Sequence, residues 1–187
     1  MNFKTFTTLA TLTAALTTTV APTQAGYVNH MAYNVGMEHN QLISAIRSTG
    51  IQFKVNPVEC DKDDAPMGYY WAAKNEMVIC QDNRRTGFGF QHEVRWTAND
   101  LDTLRHEAQH LVQDCMSGHY RDGHLGAVYQ DPIGLAKDIL PTSYIKGILE
   151  SYSDVDEHTL VMELEAFSVA AMNDPIEQVR DVQKYCF

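Results

Sequence analysis

The sequence predicts an α+β domain, with helices packed on a small twisted sheet. Two long segments, Asn99 to Met116 and Val155 to Met172, carry apolar residues at three- and four-residue steps, the period of an amphipathic helix. Three short runs, Ile51 to Val55, Tyr69 to Trp71 and Met77 to Cys80, are rich in β-branched and aromatic residues. The chain has 187 residues, a length that suits one domain. Helices with a small sheet are an α+β arrangement.

Residues 1–25 stand apart. They hold Lys4 and no acidic residue, then a Thr/Ala/Leu stretch from Leu9 to Val20, then Ala21-Pro22-Thr23-Gln24-Ala25. A basic start, an apolar middle and a small-residue end form the layout of a secretory signal peptide, with cleavage expected after Ala25. That leaves one domain over residues 26–187 and a secreted or periplasmic protein. An organelle transit peptide, Thr-rich and poor in acids, is the alternative reading.

In the rest of the chain, Met37, Leu42, Ile43 and Ile46 have helical spacing over Met37 to Ser48, and Gly50 can end that helix. Ile51 to Val55 alternates apolar and polar residues as a half-buried strand that Pro57 stops. Cys60 to Gly68 is an acidic loop. Tyr69-Tyr70-Trp71 and Met77 to Cys80 flank Ala72 to Glu76 as a hairpin with an edge strand. Asp82 to Glu93 reads as a loop, in which Arg84 and Arg85 are either solvated or face a substrate.

In the first long helix Leu101, Leu104, Ala108, Leu111, Val112 and Cys115 form one apolar stripe. Asp100 and Asp102 complement the dipole at its start, and Gly118 follows as a C-cap. Gly118 to Tyr129 suggests a surface loop, and a helical region broken at Pro141 comes next. The second long helix carries Leu160, Leu164, Phe167 and Ala171 on its apolar face. Asp174-Pro175 then opens a last short helix, since Asp caps well and Pro is tolerated in a first turn.

Lys and Arg number 14 against 24 Asp and Glu, a formal charge of −10. That balance repels phosphate backbones and anionic lipid, so neither a nucleic acid nor a membrane surface is an expected partner. After the leader no stretch approaches the ~20 apolar residues of a membrane span. An even count of cysteines in an exported chain favours two disulfides. The expected pairs are Cys60–Cys80, around the hairpin, and Cys115–Cys186, tying the chain's last residues to the first long helix.

Within that helix stands His106-Glu107-Ala108-Gln109-His110. Histidines four apart lie one turn apart on the same face, so both imidazoles can reach one ion. Zinc suits nitrogen ligands in tetrahedral geometry, and one ion is expected. Glu107 flanks such an ion at a position suited to a general base acting on a water. By composition the HExxH pattern arises by chance in only about 2% of such sequences. An accidental motif on a solvated helix face is the bland alternative.

A third ligand must come from elsewhere. The metzincin pattern requires Gly and His where this chain has Gln113 and Met116, so that class is excluded. Asp114 shares the histidines' face but lies two turns from His106, about 12 Å along the axis. It can support the site without sharing the ion.

HExxH followed by Glu163-Leu164-Glu165-Ala166-Phe167 on a later helix resembles the gluzincin branch of the zincin metallopeptidases. Three small branches are similar: CAAX-processing and heat-shock peptidases, phage-repressor-cleaving peptidases and mitochondrial processing peptidases. In them the ligand Glu stands three residues before a small residue, which implies Glu163 before Ala166, with Glu165 the alternative ligand. The resemblance covers residues 68–116 and 158–172. It includes Gly68-Tyr69 and the strand Met77 to Cys80 ahead of the helix. It implies a zincin-like fold, peptide-bond hydrolysis on a protein or peptide substrate, and that strand as a sheet edge along which an extended substrate adds. Phe167 departs from the Asp and Asn of the first two branches.

The resemblance identifies no group to steady a tetrahedral oxyanion. His119, Tyr120, His124, Tyr144, Tyr152 and His158 are candidates, with His158 first because it begins the second long helix. A non-catalytic exported protein that binds zinc for stability would use the same ligands. It would have no need of Glu107.

Overall fold

The computed structural model describes residues 35–87, 93–118, 124–172 and 174–187. The expected signal peptide, His119 and Tyr120 lie outside the described residues.

Six helices and a three-stranded mixed sheet build an α+β domain among these residues. In chain order they are α1 (Met37–Ser48), β1 (Gln52–Val55), β2 (Gly68–Trp71), β3 (Glu76–Ile79), α2 (Ala98–Met116), α3 (Pro132–Ile139), α4 (Thr142–Ser151), α5 (Glu157–Met172) and α6 (Pro175–Tyr185). Each begins or ends for a local reason. Thr97 caps α2 in a reciprocal box with Asp100, each side chain accepting the other's backbone N–H. Gly118, at φ +79°, ends it. Asp131 and Asp174 cap α3 and α6, each followed by Pro at the first helical position.

The sheet order is β1-β3-β2. β2 pairs antiparallel with β3 as the expected hairpin, Gly68 opposite Ile79 and Tyr70 opposite Met77. β1 lies on the other side of β3 and runs parallel to it. β2 is therefore an edge strand, and β3, the strand expected at the sheet edge, is central because β1 and β2 pair on either side of it. One core joins α1, the sheet and α2 through Leu42, Ile46, Tyr70, Met77, Ile79, Leu104 and Leu111. A second joins α3, α4 and α5 through Ala136, Leu140, Ile148, Tyr152 and Leu164.

Helix α2 differs from the single-stripe expectation. From Leu104 to Cys115 every residue is buried, the polar ones included. The reason is that β2, β3, α5 and α6 all pack against it. A helix enclosed on several sides buries its polar face as well, and that face must find partners within the protein.

Both disulfides join the expected residues, Cys60–Cys80 and Cys115–Cys186. Such bonds fit an oxidising compartment. Among the described residues no helix is long and apolar enough to cross a membrane.

Candidate metal centre

Helices α2 and α5 lie side by side and each contributes donors to one point. One helical turn separates His106 from His110, and their rings meet edge to face with centroids 4.7 Å apart. Their Nε2 atoms are 3.1 Å apart. Glu163 comes from α5 and offers both oxygens: Oε2 lies 3.2 Å from His106 Nε2, and Oε1 lies 3.4 Å from His110 Nε2.

This triangle could hold a metal ion. Ligands at 2.0–2.1 Å around a tetrahedral zinc are separated from one another by about 3.3–3.4 Å. The nitrogen pair and the two nitrogen–oxygen contacts, each to a different Glu163 oxygen, measure 3.1–3.4 Å, and one donor atom from each residue lies within 4.8 Å of the others. Among the described residues the buried Glu163 Oε2 makes no well-aligned hydrogen bond, although His106 Nε2 faces it at 3.2 Å and the Tyr152 phenol reaches the same carboxylate. A buried acceptor in that state calls for a cation or a donor. Burial alone would raise the Glu163 carboxyl, but the facing His110 and His106 hold it well below the usual carboxylate range. Burial would lower His110, yet the carboxylates of Glu163 and Glu107 and the bond to Gln113 raise it to about 9.

Glu107 lies beside the triangle, where the charges of His106, His110 and Glu163 all reach it. Burial raises its pKa, while the two histidines and the Tyr70 backbone N–H act in the other direction. The Tyr70 amide is free to do this because of strand geometry. Met67 accepts from Cys80 N–H at 2.8 Å, and alternation along an antiparallel ladder turns the amides of Gly68 and Tyr70 away from β3, that of Tyr70 reaching Glu107 on α2. Gly68 permits the approach: a Cβ there would stand 2.6 Å from Thr103 Cγ2, 3.0 Å from Val78 O and 3.3 Å from Glu107 Cγ.

The other candidates separate clearly. Glu165 does not join the triangle. It is buried and accepts from Gln109 Nε2, Gln113 Nε2 and the backbone amides of Val128 and Tyr129. Asp114 accepts from the Tyr70 hydroxyl at 2.7 Å, one turn beyond His110. His158, first among the oxyanion candidates, is exposed, with its Nε2 2.9 Å from the Leu125 carbonyl. His124 is exposed as well. Tyr152 instead is buried and faces Glu163, its phenol pushed far up by burial and by that carboxylate. Tyr144 and Tyr152 both meet the Phe167 ring edge-on, and Phe167 lies 4.3 Å from the His106 ring. Arg84 donates to the carbonyls of Cys60, Cys80 and Gln81 and braces the loop around that disulfide. Arg85 is exposed.

Sequence reasoning missed Gln113, which the spacing rules met only as a residue that excludes the metzincins. Its Oε1 lies 2.9 Å from His110 Nδ1. Two glutamines at the i, i+4 spacing, inside a helix long enough to be enclosed, were the available signal.

Comparison with curated proteins and comparison with solved structures each returned no match. A family model does match, over residues 30–187. The chain belongs to the family described as a domain of unknown function (DUF8637).

Proposed function

We propose that this chain is an exported zinc-dependent peptidase, in which His106, His110 and Glu163 hold the ion and Glu107 is the general base. The observation that carries the reading is the convergence of two imidazole nitrogens and a carboxylate within 3.1–3.4 Å, with Glu107 alongside. A bound Zn²⁺ would supply Lewis acidity to a carbonyl and acidify a water. Glu107 accepts a proton from the attacking water and passes it to the leaving amine. Burial raises its carboxyl above the ordinary value, in the direction that makes it a better proton acceptor, and the Tyr70 amide donates to it. Tyr152, facing Glu163 from α4's C-terminal end, replaces His158 as the first residue to test for oxyanion stabilisation. The two disulfides and the leader-like residues 1–25 support export.

One observation favours a second reading. His106, Glu107, His110 and Glu163 are each at most 9% exposed, and a closed site is what a structural ion needs. Substituting the general base separates the two. Glu107→Gln should keep zinc and cleave an unfolded protein substrate about 10²–10⁴-fold more slowly, whereas His106→Ala should lose zinc affinity and activity together. Cleavage by wild type should stop with chelator and return with zinc. A wild-type protein that binds zinc tightly but cuts no member of a broad peptide library would establish the structural-site reading. Equal activity in wild type and Glu107→Gln would remove the mechanism.

A further inference from the structure

Gln109 and Gln113 stand four residues apart on α2, neither with any exposed surface. Both donate through Nε2 to the same oxygen, Glu165 Oε1, across 3.0 Å. Only Gln113 also reaches a donor of the triangle. Its amide nitrogen has two hydrogens, and both are engaged, one on Glu165 Oε1 and one on the Met162 carbonyl at 3.0 Å. With the nitrogen placed by two acceptors, the other end of the amide can only accept. That end, Oε1, faces His110 Nδ1 at 2.9 Å.

An acceptor at Nδ1 puts the proton of a neutral imidazole there and leaves a lone pair on Nε2. Nε2 is the atom that faces His106 and Glu163. Glu165 is itself anchored, accepting from the backbone amides of Val128 at 3.2 Å and Tyr129 at 3.0 Å. The order of control runs from the backbone at residues 128–129, through Glu165 and Gln113, to one ring nitrogen. His106 lacks the equivalent: among the described residues its buried Nδ1 has no hydrogen-bond partner. The HExxH spacing requires none of this.

We propose that Gln113, oriented by Glu165, is a positioning residue that locks His110 in the Nδ1–H tautomer and so sets the affinity of the His106–His110–Glu163 triangle for a divalent cation. The inference rests on the metal-site reading and adds to it a residue that touches neither ion nor substrate.

The test uses the full chain with Zn²⁺ as probe, its affinity read by competition with a chromophoric chelator. Outer partners of ligating histidines are typically worth 10–100-fold in metal affinity, so Gln113→Met should bind Zn²⁺ weaker by about that factor. Gln109→Met removes the same kind of bond from the same carboxylate oxygen but touches no histidine, and its affinity should stay near that of wild type. Nitrogen-15 NMR of the Zn²⁺-loaded wild type should show the ring proton of His110 on Nδ1, a readout that needs no variant to fold. Equal weakening in the two glutamine variants, unchanged affinity in Gln113→Met, or a His110 protonated at Nε2 overturns the proposal while leaving the metal site standing. Wild type and His106→Ala that both fail to bind Zn²⁺ would overturn the metal-site reading, and this inference with it.

Discussion

The Tyr70 hydroxyl donates to Asp114 Oδ2 across 2.7 Å, and this bond joins the hairpin to α2 one turn beyond His110. Tyr70 thus meets the helix twice, through its side chain at Asp114 and through its amide at Glu107. Both residues are buried, so the bond forms away from water.

Tyr70→Phe deletes the side-chain bond and spares the amide. Hydrogen bonds to charged groups contribute roughly 1.5–3 kcal/mol, and a loss of that size is expected in urea unfolding with the disulfides intact. An unchanged midpoint would mean that Asp114 is satisfied without Tyr70.

Gly68→Ala should be destabilising by about 1–3 kcal/mol, the usual cost of overpacking. The new methyl would meet Thr103 Cγ2 at 2.6 Å and the Val78 carbonyl at 3.0 Å. Thr103→Ser in the same chain removes that Cγ2 and keeps the hydroxyl that donates to Asn99 O. It should recover part of the loss. No recovery in the double variant would place the strain on the Val78 carbonyl and Glu107 Cγ instead.

Reduction of the intact chain should add four hydrogens by mass spectrometry, two for each bond. The bonds close loops of different length, with sequence separations of 20 and 71. In the chain-entropy model they contribute about 3 and about 4 kcal/mol, so loss of Cys115–Cys186 should cost more in denaturant unfolding. The reverse order would show that native-state effects outweigh loop entropy.

Acid should weaken the fold through His39. Its Nε2 accepts from Arg105 Nη1 at 3.0 Å, and burial followed by the Arg105 charge lowers its pKa from 6.5 to about 4. The folded value lies below the unfolded one, so the unfolded chain takes up the proton first as pH falls. The His39 contribution is therefore complete above pH 6.5 and is lost as the pH drops through about 4. His39→Gln should be less stable than wild type at pH 7, and the gap should narrow by pH 4. A gap of constant size would show that His39 does not titrate in this window.

Local signals were legible. The periodicity of Leu42, Ile43 and Ile46 and the Asp174-Pro175 start placed α1 and α6 where the structure has them, because caps and apolar spacing are properties of neighbouring residues. The histidine pair was legible for the same reason. What could not be read was long-range. The parallel pairing of β1 with β3 depends on a partner more than twenty residues away. The hydrogen-bond partners of Gln113, Glu165 and Asp114 depend on which helices and strands close over α2; their spacing places them on a face but does not name those partners. His158 was favoured by its position at the start of α5, but a helix start can point to solvent, and this one does.

The edge position of β2 bears on solubility. An unpaired strand edge is a template on which a second chain can add and from which aggregates grow. Here the edge is four residues long, and the outward amide of Tyr70 is already engaged by Glu107. Removing the carboxylate altogether, as in Glu107→Ala, would expose that amide at the same moment that it removes the base. Such a variant would be a poorer inactive control than Glu107→Gln, whose side-chain carbonyl can still accept from Tyr70.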